Sequence, residues 1–161
     1  KFEHELVLNK VPYENYSWEI HKLGKDFYDT KFGDGTFSAN KIKELFTSTE
    51  LNFNTILSFK NSKKNDGYCI AFNGENNGTK ILHYAYPFYE LELINSSFGI
   101  YMMTKTISEL KKLGFNYIYL GSAHSQTSLY KFQFKGVEWF DEEKNLWTDN
   151  IAELKDKLVT I

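Results

Sequence analysis

The sequence predicts an α/β fold built on one mixed sheet, an antiparallel meander followed by a parallel pair, with helices flanking it. Three observations lead there. Three β-like runs, 55–59, 68–72 and 80–88, are separated by turn-rich stretches. A helical pattern over 99–113 is closed by Gly114 after Lys111 and Lys112. A further β-like run, Tyr117-Ile118-Tyr119-Leu120, follows that helix, so the crossover can lay it parallel to the third meander strand.

The remaining elements follow in order. Leu6 to Val11 reads as a strand ended by Pro12, which lacks the ladder donor. From Tyr16 to Tyr28 the apolar residues Trp18, Ile20, Leu23 and Phe27 recur at helical spacing, and Gly33-Asp34-Gly35 breaks the pattern. Ser38 is placed to cap a second helix through Ile42, Leu45 and Phe46, the two helices covering one side of the sheet. The stretches 61–67 and 73–78, rich in Asn, Asp, Lys and Gly, read as hairpin loops. Beyond the parallel pair come a short helix around Ser128 to Phe132, a strand from Val137 to Phe140, a turn, and a helix from Asn150 to Leu158. With 161 residues, 42% of them hydrophobic, and no internal repeat or linker tract, one domain over 1–161 is expected. The opening at Lys1 leaves room for it to be part of a longer chain.

Charge and composition narrow the function. A formal net charge of −2 does not suit sequence-independent DNA binding. All 19 basic residues are lysines, and their clusters at Lys60, Lys63, Lys64 and at Lys105, Lys111, Lys112 read as solvated faces. Cys69 is the single cysteine, inside the apolar run Tyr68 to Phe72, and the four histidines are dispersed, so neither a disulfide framework nor a metal-ligand spacing can be read. No apolar stretch approaches the ~18 residues of a membrane span, and no signal-like start is visible, which makes a cytoplasmic location the default expectation.

The order of elements, together with short motifs, resembles the GNAT acyltransferase superfamily. Tyr117-Ile-Tyr-Leu-Gly121, followed by Leu129-Tyr130-Lys131 and then Gly136 to Phe140, looks like the end of the GNAT-like half of arginyl-tRNA–protein transferases and their small bacterial relatives. Phe98-Gly99-Ile100-Tyr101, opening a helix after a Tyr-rich strand, is similar to a Leu-Gly-x-Tyr segment of the same proteins. The resemblance spans 79–147 and implies transfer of an aminoacyl or small acyl group to an amine of a peptide or small molecule. The donor implied is a charged tRNA, with acetyl-CoA as the alternative donor on the same fold. A catalytically silent module that binds a peptide or partner is the alternative of another class.

The resemblance also implies a site. The parallel strands of such a fold splay apart and leave backbone amides to grip the acyl carbonyl; Tyr84, Tyr86 and the donor-less Pro87 supply one edge, and Gly121 and Ser122 the end of the other. Tyr130 corresponds to the phenol that protonates the leaving group. His124 and Glu90, just past the two strand ends, are the base candidates. Phe98, Gly99, Ile100 and Tyr101 align with a phosphate-binding helix start of the form Arg/Gln-x-x-Gly-x-Gly/Ala, in which Tyr101 takes the second small position and is expected to crowd a bound pyrophosphate. His83 reads as a half-buried strand residue, and His4 and His21 as isolated.

Overall fold

A computed structural model describes residues 1–159. In chain order the elements are β1 (Glu5–Lys10), α1 (Trp18–Phe32), α2 (Ala39–Thr47), β2 (Thr55–Lys60), β3 (Asn65–Asn76), β4 (Thr79–Tyr89), α3 (Phe98–Lys112), β5 (Tyr117–Tyr119), β6 (Trp139–Asp141), β7 (Leu146–Thr148) and α4 (Ile151–Val159). Two 3₁₀ segments, Leu91–Leu93 and Gln126–Gln133, lie between them. The chain divides into two compact units, Lys1–Tyr119 and Leu120–Ile161.

The first unit holds a five-stranded sheet in the order β1-β2-β3-β4-β5. β1 through β4 pair antiparallel, and β5 pairs parallel to β4 through Ile81↔Tyr117, Leu82↔Ile118 and His83↔Tyr119. The meander and its parallel partner are as the sequence predicts; the meander strands are longer, and β5 stops at Tyr119, one residue short of Leu120. The polar residues Asn73 to Asn76, read as loop, continue the β3–β4 ladder down to Asn76↔Thr79. The turn itself is only Asn77-Gly78, both with positive φ (50° and 78°), the backbone a tight two-residue hairpin requires. Cross-strand pairing here overrides low strand propensity.

Helices cover both faces. Consecutive side chains on a strand point to opposite faces. At Gly67 an added Cβ would lie 3.0 Å from Met102 Sδ of α3, whereas the next residue, Tyr68, packs its ring 5.8 Å from Phe46 of α2. Gly24 lets α1 approach α2 and β4: a Cβ there would meet Ile42 at 2.8 Å and Phe88 at 3.4 Å. Ser38 caps α2 as predicted, its Oγ accepting from Lys41 N at 3.1 Å. α1 runs on past Tyr28 to Phe32, where Gly33 N–H closes on Asp29 O at 3.0 Å. α3 ends in a Schellman motif, with Phe115 N–H on Leu110 O (3.0 Å) and Gly114 N–H on Lys111 O (3.2 Å).

The second unit contains the longer 3₁₀ segment, a two-stranded antiparallel sheet of β6 and β7, and α4. The strand expected from Val137 starts only at Trp139, and β7 lies in residues read as turn. Trp139, Asp141 and Leu154 are its buried side chains among the described residues.

Candidate functional site

β5 follows β4 for three rungs only, and the last is His83↔Tyr119. Immediately beyond that rung β4 bulges. Ile70 stands opposite Tyr86 and Ala71 opposite Tyr84, leaving Ala85 as the extra residue. From Tyr84 to Tyr89 β4 then has β3 on one edge and, among the described residues, no strand on the other. An edge with no neighbouring strand can receive an extended ligand lying beside β4.

The sequence places the interruption at Pro87, and the structure places the irregular residue at Ala85. Pro87 stays in register opposite Cys69, and its carbonyl accepts from Tyr28 Oη of α1 at 3.0 Å. The position of a bulge depends on how two strands are phased, which a single strand's residues do not reveal. Burial pushes both the Tyr28 phenol and the Cys69 thiol above their ordinary ranges, so each is a neutral group in this wall. Tyr84 is buried, whereas Tyr86 is 38% exposed, its ring between Phe37 (5.2 Å) and Phe53 (5.3 Å).

The start of α3 differs in one respect from the sequence expectation. Phe98 is fully buried, and Gly99 lies against Tyr89, whose Oη would be 3.1 Å from an added Cβ. The ring of Tyr101 packs on Phe2, His4 and Phe98, and its Oη accepts from His4 N at 3.0 Å. Its contacts are therefore with the segment leading into β1, rather than with a ligand space at the helix start. Ile100 is half-buried beside it.

Lys31, at the end of α1, was not singled out in the sequence. Its Nζ is 3.3 Å from Tyr89 Oη and 5.3–5.6 Å from the rings of Phe27, Phe32 and Tyr89. Among the described residues it has no carboxylate partner. The Phe27 contact is an i,i+4 neighbour and could have been read; the Tyr89 contact joins residues 58 positions apart and could not.

Glu90 is ion-paired with Lys64 at 2.6 Å, and its N–H donates to Asp66 O. The bond to Glu90 holds the Lys64 ammonium above its ordinary pKa. The two line a hollow of about 470 Å³ with Tyr68, Ile20 and Leu23. His4 is not isolated either: its Nε2 lies 2.8 Å from Asp66 Oδ2, which also accepts from Asn61 Nδ2 at 2.6 Å.

In the second unit Gly121 has φ 84°, and Lys131 Nζ would sit 3.4 Å from a Cβ there. The same ammonium donates to Ser122 O at 2.8 Å, and burial pushes its pKa below the ordinary lysine range. Gly121 and Ser122 are thus held together with Lys131, the residue after Tyr130. Tyr130 is 47% exposed and His124 is exposed. The short helix predicted around them is the 3₁₀ segment Gln126–Gln133, opened by a reciprocal cap between Ser125 and Ser128. The structure therefore groups Tyr84, Tyr86, Glu90 and Phe98 to Tyr101 in the first unit, and Gly121, Ser122, His124 and Tyr130 in the second.

No protein-family model matches the chain, and no curated protein matches it. Solved structures do. A possible acetyltransferase from Clostridium difficile 630 superposes with a TM-score of 0.56 at 7% identity, over 83% of this chain and 93% of the other. A ribosomal-protein-alanine N-acetyltransferase from Brucella melitensis biovar Abortus 2308 gives 0.55 at 7%, over 87% and 96%. A GNAT family acetyltransferase from Staphylococcus aureus gives 0.50 at 16%, over 73% and 87%. The fold is that of GNAT acetyltransferases. At such identities the likeness is one of GNAT architecture, and what this chain does must be argued from its own residues. Among the described residues no helix is long and apolar enough to cross a membrane.

Proposed function

We propose that the chain is an N-acyltransferase of the GNAT type that moves a small acyl group from an acyl-CoA, acetyl-CoA in the simplest case, to an amine of a small molecule or peptide. The observation that carries this is the opening between β4 and β5, which begins at the His83↔Tyr119 rung with the Ala85 bulge directly after it. An acyl-pantetheine arm is extended and carries amides, so it can run along an edge whose own ladder has stopped. The bulge re-aims main-chain N–H groups at the point where an acyl carbonyl would become tetrahedral and need stabilising.

Two further features support a phosphate-bearing donor. Gly99 lets the Tyr89 hydroxyl close on the first turn of α3, and Tyr101 is turned onto Phe2 and His4. Lys31, resting on Tyr89, is a cation beside that turn and stands in for the basic residue missing from the aligned motif. Tyr130 is proposed to protonate the leaving sulfur, with Tyr84, Tyr86, Gly121 and Ser122 contributing to substrate binding; His124 and Glu90 are the base candidates that the sequence resemblance implies. An aminoacyl-tRNA donor is supported by the resemblance over 79–147 alone.

The test is thermal unfolding with CoA, acetyl-CoA and charged tRNA on one preparation. A donor that binds only the folded chain stabilises it by RT ln(1 + [L]/Kd), about 2.7 kcal/mol at a hundredfold excess over Kd. Stabilisation that tracks CoA concentration is expected. Stabilisation by charged tRNA and not by CoA would move the donor to the aminoacyl class, and a flat response to all three would leave a silent binding module.

A further inference from the structure

His83 stands at the root of the opening, on the last rung shared by β4 and β5, opposite Phe72 on one side and Tyr119 on the other. It is half-buried, and its ring faces Phe53 at 6.2 Å. Phe53 also meets Tyr86, which meets Phe37, so the imidazole belongs to a continuous face of rings just before the bulge. Among the described residues no hydrogen bond or ion pair is made by this imidazole. By strand alternation the titratable side chains of β4 and β5 on the same face as His83 are the phenols of Tyr86, Tyr117 and Tyr119. Burial pushes the His83 pKa below the ordinary histidine value, so at neutral pH the ring is uncharged and one nitrogen carries an unused lone pair.

The sequence-derived base candidates are placed differently. Glu90 is paired with Lys64, and His124 is exposed in the second unit.

We propose that His83 is the general base of the transfer, and that the acceptor it serves is a primary amine with an apolar body docked on Phe37, Phe53 and Tyr86. The inference rests on the acyltransferase reading above. An alkylamine arrives as an ammonium, and aromatic faces attract cations while accommodating an apolar body. Among the described residues no carboxylate acts on His83, whose pKa is lowered by burial alone, which favours monoamines over polyamines. In the step itself the ammonium gives one proton to the neutral imidazole. The nitrogen lone pair then forms a C–N bond to the thioester carbonyl carbon, and the C–S bond breaks with its electron pair leaving on sulfur. The second nitrogen proton ends on that sulfur, releasing a free thiol and an amide, and His83 returns its proton to water.

The experiment uses acetyl-CoA with 2-phenylethylamine and, for comparison, spermidine. Wild type is expected to acetylate 2-phenylethylamine in preference, with kcat/KM rising through an ionisation below the ordinary histidine value. His83→Gln should lower kcat at neutral pH by about 10²-fold or more, remove that ionisation, and leave stabilisation by CoA unchanged. Added imidazole should restore part of the activity of His83→Ala; if that variant does not fold, His83→Gln decides. Retention of the ionisation in His83→Gln, or its loss in His124→Gln instead, overturns the assignment. A preference for spermidine overturns the acceptor class. Absence of CoA binding in wild type is read separately, by the stabilisation, and removes the acyl-CoA reading together with this one.

Discussion

The two units of the chain are held together by different physics. In Lys1–Tyr119 the interior is apolar and ring-rich: Phe27, Phe46, Phe59, Phe88 and Phe98 are each no more than 1% exposed, and all but Phe59 meet rings on other elements in tilted or edge-on contacts. In Leu120–Ile161 the buried apolar side chains among the described residues are Trp139 and Leu154. Polar links do much of the remaining work: Trp139 Nε1 donates to Asn150 O at 3.0 Å, Lys157 bonds Asp141 (3.1 Å) and Glu143 (2.8 Å), and Lys144 pairs with Glu153. Apolar burial scales with area and tolerates changes of pH, whereas a charged latch depends on protonation and salt. The two units should therefore fail under different conditions.

The largest effect is expected in the first unit. Phe88 lies on β4 between Tyr68 (5.6 Å) and Phe46 (6.0 Å), against α1 at Gly24. Phe88→Ala should cost about 3–5 kcal/mol, the usual range for a large buried ring, because three packed elements surround the cavity and cannot all collapse into it. Urea unfolding followed by far-UV circular dichroism measures this. A loss below about 1 kcal/mol would show that the meander core is far looser than its burial implies.

Acid should reverse the order of vulnerability. Burial of Asp141 opposes its ionisation, but the Lys157 ammonium and the N–H groups of Lys144 and Glu143 outweigh that and hold its carboxyl below the ordinary value. A carboxyl depressed in the folded state contributes stability that is complete above its unfolded pKa, near 4, and is lost as pH falls through the folded value. In the first unit the depressed carboxylates, Asp29 and Glu109, sit in lysine pairs along helices, where single pairs contribute little. Below about pH 4 the fluorescence of Trp139 is thus expected to change before the circular dichroism of the five-stranded sheet. Coincident transitions would mean that Asp141 does not govern the second unit.

The same contrast explains what could be read from the residues. Ser38, Gly33, Asn77-Gly78 and Gly114 announce local backbone geometry, and apolar periodicity announces the faces between them, so the pairing of β2 to β5 was legible and β1 was legible as a strand without its partner. The candidate site depends on non-local relations. The Ala85 bulge arises from the phasing of β3 against β4, the Lys31–Tyr89 contact from the docking of α1, and the significance of His83 from the rung at which β5 stops. A strand pattern marks His83 as half-buried without saying that its lone pair is unused. In the second unit β7 was missed because Leu146-Trp147-Thr148 is too short for alternation to register, and its pairing with β6 follows from the turn between them.

The smallest effect sharpens the comparison most directly. Trp139→Phe keeps an aromatic ring under Lys157 Nζ, which lies 5.4 Å from its centroid, and removes the indole N–H that bonds Asn150 O just before α4. One such bond is worth about 1 kcal/mol, and the Asn150 carbonyl keeps the Leu154 N–H as a partner at 3.4 Å. If polar links organise the second unit, hydrogen exchange of the α4 amides should quicken by roughly fivefold, the equivalent of that energy, while exchange in β2 and β3 stays as it was. Unchanged α4 protection would mean that packing of Leu154 and the Trp139 ring carries the unit, and that the difference between the two regions is one of size rather than of kind.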